Sequence, residues 1–413
     1  MAGHLNVNAY VAYLIELLDD QPRMIYAKKY HLIAICLLVT AWNCHADDQS
    51  GWAYAGNGWQ WTNPDTGSFV WLGLRFQTRY SNRVDEPLVG DDLRLEGDEG
   101  LNVNRARYKI GAGVGRHMTF YHEYDLRNGQ LLDLRATWKP APWFNLRAGQ
   151  WKAEYNRERV DSSGKQQFVE RSIINYWFTI DRQNGVMASG RLAAGKRTDS
   201  SWWLGILNGN GLNTSGDGSQ PMWMGRYQWN FNGEVLPFSQ SALKRYAPAR
   251  GSLAFALVSN ASRYTRFSSR GGGQLPGFSG GADNQYRTEQ LLQEFAWQGG
   301  GWSVQQELHY KKITDRIKGG SVNIWGAYIS AGWFPSSRLS DWPEPLEFAA
   351  RIAMVKPYSN ADLHQNREFT LAVNWFFNGH RNKLTSDISR LKISDPTGDA
   401  QDWRFRLQWD VSL

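Results

Sequence analysis

From Trp403 to Leu413 the chain alternates without a break. Trp403, Phe405, Leu407, Trp409, Val411 and Leu413 fall on one parity, and Arg404, Arg406, Gln408, Asp410 and Ser412 on the other. Strand side chains point alternately to two faces, so as a strand this segment has one wholly apolar face and one charged face. An edge strand of a soluble sandwich rarely places three large aromatics on one face. A transmembrane barrel strand does so routinely, with lipid outside and a wet lumen inside. The expectation is an all-β fold, a transmembrane antiparallel β-barrel.

The other end of the chain agrees. Met24 opens a short basic stretch with Lys28 and Lys29, residues 32–42 are mostly apolar, and Cys44-His45-Ala46 supplies small residues where a signal peptidase reads. That apolar core is too short to span a bilayer, so residues 24–46 read as a secretory signal peptide. Residues 1–23 then read as an upstream extension from a misassigned start, with an amphipathic N-terminal helix as the alternative. The Trp42-Asn43 pair lacks the small residues of a lipoprotein signal. Both cysteines, Cys36 and Cys44, fall in the removed segment, so the exported chain is expected to fold without disulfides. Residues 47–66 are assigned to an N-terminal periplasmic segment and 67–413 to the barrel.

Mean hydropathy is −0.54, yet aromatics make up 14% of the chain, with 21 Trp. A polar average with excess Trp and Tyr fits apolar residues on alternate positions and aromatics at two membrane interfaces. Past the signal, roughly sixteen alternating segments of about ten residues can be marked, the length a tilted spanning strand needs. They lie near 69–80, 103–114, 118–126, 131–139, 144–152, 185–194, 202–207, 222–230, 253–263, 287–297, 302–312, 323–334, 346–355, 368–377, 383–391 and 403–413. Their connections alternate between short turns, such as Gly115-Arg116 and Gly299-Gly-Gly301, and longer polar loops. Short periplasmic turns opposite long extracellular loops are the bacterial barrel pattern. Residues 231–250 break it, being long where a short turn is due, which leaves the strand count open by about two.

The inner faces carry charge. Parity places Arg75 and Arg79 inward on the first strand, and Arg105, Arg107 and Lys109 on the second. Glu123 and Asp125 face them from the third, and Asp133, Arg135, Lys139 and Arg147 follow. Arg191, Arg351, Arg404 and Arg406 come later, against Glu307, Glu347, Asp387 and Asp410. About twelve inward cations against about seven acids make a basic lumen, the usual device of anion and phosphate pores. The blander reading is that such charges brace one another and keep the lumen wet. Net charge is +7, and the basic residues Arg23, Lys28 and Lys29 of the leader are balanced by Glu16, Asp19 and Asp20, so the excess belongs to the exported part.

The sequence resembles the phosphate-selective porin O and P family of Gram-negative outer-membrane channels. The residues that carry this are Asn104-Arg-Ala-Arg107, Glu123-Tyr-Asp125, Gly149-Gln-Trp-Lys152 and Glu170-Arg-Ser172, then Arg182-Gln-Asn-Gly185, Glu347-Phe-Ala-Ala-Arg351 and Asn374-Trp-Phe-Phe-Asn378. The resemblance implies a homotrimer of barrels of about sixteen strands, each narrowed by a long infolded loop with a basic eyelet. The matching stretch is 153–180, with Arg157, Arg159, Lys165 and Arg171. Two departures stand out: Ala153-Glu154-Tyr155 replaces the family's Pro-Phe pair, and the chain ends in Leu413 rather than Phe. The dense lysine cluster and arginine ladder of phosphate selectivity do not map residue by residue.

The expected function is a passive outer-membrane porin favouring small anions, phosphate, polyphosphate or related oxyanions first. A general or sugar-selective porin is the alternative, kept open by the Trp content. An outer-membrane barrel enzyme is more remote: His122 and His309 lie on strands, but no serine motif accompanies them. No metal or cofactor is expected, because no metal-ligand spacing is present and Gly271-Gly-Gly273 precedes no helix. The cations are threaded singly through strands, which argues against nucleic acid. Expected partners are small anionic solutes, outer-membrane lipid and lipopolysaccharide, and the barrel assembly machinery.

Overall fold

The computed structural model describes residues 51–56, 58–82, 100–214, 220–267, 271–357, 365–395 and 398–413. The expected leader and upstream extension lie outside them. A hairpin of β1 (Trp52–Tyr54) and β2 (Trp59–Thr62) precedes sixteen long strands. These are β3 (Phe69–Ser81), β4 (Gly100–Val114), β5 (Met118–Asp125), β6 (Gln130–Ala141), β7 (Phe144–Lys152), β8 (Arg182–Leu192), β9 (Ser200–Leu207) and β10 (Gln220–Asn230). The rest are β11 (Arg250–Ser262), β12 (Tyr286–Gly299), β13 (Trp302–Asp315), β14 (Ser321–Trp333), β15 (Leu346–Lys356), β16 (Asn366–Asn378), β17 (Asn382–Asp395) and β18 (Gly398–Ser412).

Each long strand pairs antiparallel with its neighbours, and β18 pairs back with β3, so β3 to β18 form a closed ring. Closure leaves the ring no open edge. The terminal residue takes part: Leu413 N donates to Leu74 O at 2.9 Å and Leu74 N to Leu413 O at 2.8 Å. The alternation of 403–413 is realised in burial. Trp403 is 51% and Trp409 46% exposed on the outer face, while Arg404, Arg406, Gln408 and Asp410 are buried inside. The open question of strand number is settled at sixteen, with β2 lying against the start of β3 outside the ring.

Paired aromatics mark the two ends of the outer face, as membrane interfaces require. Trp302 stacks on Trp333 at 5.2 Å near the short-turn end, and Tyr310 meets Trp325 at 4.5 Å near the loop end. One glycine is dictated by geometry. Gly149 has φ +122°, and a Cβ there would sit 2.1 Å from the carbonyl oxygen of Leu134 on the paired strand. Gly149→Ala adds about 1–3 kcal/mol of backbone strain on top of that clash. The expected outcome is a large drop in folded barrel, read as the heat-modifiable band on a gel.

Candidate permeation pathway

Residues 153–181, between β7 and β8, turn into the barrel instead of away from it. They carry two short helices, α1 (Arg157–Val160) and α2 (Ile174–Phe178), and nearly every side chain is buried. The wall holds the loop through acids that accept its hydrogen bonds. Glu294 of β12 accepts from the backbone N and Nε of Arg157, both at 2.9 Å, and Glu307 of β13 from Glu158 N at 2.8 Å. Asp387 of β17 accepts from Val169 N at 3.0 Å and Glu368 of β16 from Ile173 N at 2.9 Å. Glu347 of β15 accepts from the Gln167 side chain at 2.7 Å. Each such charged hydrogen bond is worth about 1.5–3 kcal/mol. Apolar packing completes the seat: Ile173, Ile174, Trp177 and Phe178 meet Ile313, Ile324, Val355 and Leu391, inward residues near the loop ends of β13, β14, β15 and β17.

The anomalous stretch between β10 and β11 also goes inside. Pro237 O accepts from Arg157 at 2.7 Å, Gln240 Oε1 from Gln167 N at 2.8 Å, and Ser241 donates to Glu347 at 2.9 Å. The long turn at the short-turn end thus supports the infolded loop from below. Charge balance differs along the loop itself. Burial alone would raise the Asp181 carboxyl, but the Arg159 guanidinium at 2.7 Å outweighs it and holds the group well below the usual range. At Glu158 burial wins over Arg351 and pushes the carboxyl up to about 7.

The loop leans on one half of the lumen. Along β11 to β18 most inward polar residues, from Ser252 to Asp410, are excluded from water. Along β4 to β7 they remain in part exposed, and Lys165 on the loop is exposed beside them. The open passage therefore runs beside Arg105, Arg107, Lys109, Arg135, Lys139, Arg147 and Lys152. Lys139 is exposed, on the turn side of Arg135 along β6.

Acids stand behind three of these cations. Arg107 binds Glu123 at 3.0 Å and Asp125 at 3.1 Å; its side chain is 12% exposed, close to the 10% of Glu123 but well above the 2% of Asp125. Arg135 lies 3.5 Å from Asp133 and over the Tyr121 ring, 27% exposed against 8%. Arg147 pairs with Glu154 and is again the more exposed partner. Glu170 is the exception: it binds Arg79 and Arg105, and at 23% exposed exceeds both. Lys109 and Lys165 make no side-chain ion pair or hydrogen bond among the described residues. Arg75 grips the loop, donating to Ser163 at 2.9 Å and to Asp410 at 2.8 Å, which sets Lys165 near the Arg75–Lys109 side of the wall.

The remaining sequence candidates sit elsewhere. Arg351 binds Glu368 and Glu170 O, and Arg406 binds Asp387 at 2.6 and 2.8 Å; both are buried behind the loop. Arg404 is buried beside them with its Nε unbonded. Arg191 braces Asp199 in the β8–β9 turn, at the rim. Arg157, Arg159 and Arg171 lock the loop to the wall or to itself and are buried. Sequence reasoning passed over Lys152, Glu154 and Arg182, although Lys152 and Arg182 stand inside the motifs singled out above. Arg182 binds Asp133 at 2.6 Å.

Solved structures share the fold. An anion-selective porin from Comamonas acidovorans superposes with a TM-score of 0.52 at 11% identity, covering 84% of this chain and 100% of that one. The trimer form of OmpT, an outer membrane protein of Vibrio cholerae, gives 0.54 at 8% identity over 84% and 99%. DcaP, an outer membrane channel of Acinetobacter baumannii, gives 0.51 at 10% identity over 85% and 99%. No curated protein sequence matches the chain. The family of phosphate-selective porins O and P matches residues 74–393, from β3 into β17. With the closed barrel and its wet, charged interior, that match over most of the chain makes this protein an outer-membrane porin, a member of the phosphate-selective porin O and P family.

Proposed function

We propose that this porin is a passive diffusion channel with anion preference, for phosphate, polyphosphate or related oxyanions. The observation that carries it is the uneven exposure of the charges on the open wall. Most pairs there are neutral on paper, but the cation reaches the passage and the acid stands behind it. Fixed positive charge between low-dielectric walls raises local anion concentration and speeds anion entry. Arg contributes a planar fork that fits phosphate or carboxylate oxygens, and Lys a point charge. The porin from Comamonas acidovorans with this fold is described as anion-selective, which supports the reading.

No catalytic role is assigned. His122 stacks on Tyr108 on the outer face, and His309 is held by Glu307 at 2.9 Å and stacked on Phe178. A sugar pore is the second reading, favoured by Trp71 and Tyr121, which meet at 6.0 Å on the inner face of the open half. We further propose that residues 24–46 are cleaved on export and that the barrel is a homotrimer delivered by the assembly machinery. The trimer form of the Vibrio cholerae protein supports the oligomer.

Planar bilayer recordings in a salt gradient test the main reading. The reversal potential is expected on the anion side, and added phosphate is expected to reduce chloride current by occupying the same cations. Cation preference would overturn the proposal, and sugar-driven liposome swelling far above that of a size-matched general porin would favour the second reading.

A further inference from the structure

The outer wall is not evenly convex. A groove of about 1190 Å³ crosses it from β9 to β15, lined almost wholly by apolar side chains. Pairing register explains its course. One hydrogen-bonded row of outward residues runs from Leu204 through Gly225, Leu257 and Leu291 to Trp325 and Lys356. The next runs from Trp202 through Phe255 and Ala327 to Met354, Arg367 and Lys392. Between β9 and β15 lie six strand spacings, so the groove is roughly 29 Å long at about 4.8 Å per spacing.

Missing bulk at Gly225 and Ala327 deepens the groove. A Cβ at Gly225 would meet Leu204 and Leu257 at 3.6 Å, an ordinary contact, so the backbone there does not require glycine. Both rows end in cations at the loop end, just past the Tyr310–Trp325 pair.

We propose that this groove docks a phosphorylated, multiply acylated lipid of the outer leaflet, with acyl chains along the rows and phosphates on Lys356, Arg367 and Lys392. Clustered Lys and Arg at a membrane surface select anionic headgroups. A second copy of the chain fits worse. Among the described residues of the sixteen strands the outward-facing acid is Glu289, and Arg287 binds it at 3.0 Å. A neighbouring barrel wall would therefore bring no carboxylates to match these cations. The site lies outside the lumen, so it stands whether or not the channel prefers anions.

The test uses the full-length porin, stripped of lipid in detergent and titrated with bis-phosphorylated lipid A by native mass spectrometry. Lys356→Gln with Arg367→Gln and Lys392→Gln is expected to weaken binding at least tenfold. Gly225→Leu with Ala327→Leu, which fills the groove and leaves the cations, is expected to do the same. Dephosphorylated lipid A should bind weakly to the unmodified protein, and millimolar inorganic phosphate should not displace lipid A. Lipid A binding unchanged in both variants overturns the proposal. So does a groove-filled variant that binds lipid A normally but changes oligomeric state, since the groove would then be an interface between copies. The charge variant keeps every apolar residue of the groove and reads out even if the groove-filled one assembles poorly.

Discussion

Replacing Lys109 and Lys165 together by glutamate is expected to reverse the sign of the reversal potential in a salt gradient. These two ammonium groups border the open passage, one on the β4 wall and one on the infolded loop beside it. Neither forms a close ion pair among the described residues, although Glu123 stands opposite Lys109 in the β4–β5 register and offsets part of its field. The double change moves four units of charge at the narrowed section. At about 8 Å and an effective dielectric near 40, each unit is worth roughly 1 kcal/mol to a passing monovalent ion. Salt screens part of this, and the expected result is at least a tenfold fall in the anion-to-cation permeability ratio. Arg107 makes a poorer probe. Neutralising it would strip Glu123 and Asp125 of their partner at 3.0 and 3.1 Å and mix lost attraction with freed acid. A ratio unchanged in the lysine double variant would mean that the ions travel elsewhere.

The parts of this molecule legible in its sequence are those that face two different solvents. Residues 403–413 meet lipid on one side and polar lumen on the other, and their parity alone predicts burial correctly. The same logic located Arg105, Arg107 and Lys109 on the inner face. It failed where the inner solvent is protein. Ile313, Ile324, Val355 and Leu391 point inward yet are apolar, because they seat the infolded loop, so alternation weakens at the ends of their strands. Glu307, Glu347 and Asp387 have the parity of charges in a wet lumen. They accept hydrogen bonds from the loop instead, and no local pattern tells an acid that faces water from one that faces an N–H group. The stretch between β10 and β11 looked irregular for the same reason: its partners, Arg157, Gln167 and Glu347, are far away in the chain.

Glu294→Ala is expected to release the start of the infolded loop and raise single-channel conductance severalfold, with added current noise, while the barrel stays folded. Glu294 is buried and holds two guanidiniums at once, accepting from Arg157 at 2.9 Å and from Arg226 at 2.8 and 2.9 Å. Its other bond, to Arg157 N, fixes the first turn of α1. Removing the carboxylate leaves two buried cations facing each other without a counter-charge, a loss of about 3–5 kcal/mol. The strand ladder does not depend on this cluster, so the strain falls on the loop, which can swing Arg157 into water. A triple replacement separates charge from packing. Arg157→Met with Arg226→Met and Glu294→Met swaps the whole cluster for apolar side chains, an exchange that is often neutral or stabilising. That variant is expected to keep the loop seated and the conductance near that of the unmodified channel. Unchanged conductance in Glu294→Ala would show that the cluster does not hold the loop, and that Glu307, Glu347, Glu368 and Asp387 hold it without Glu294.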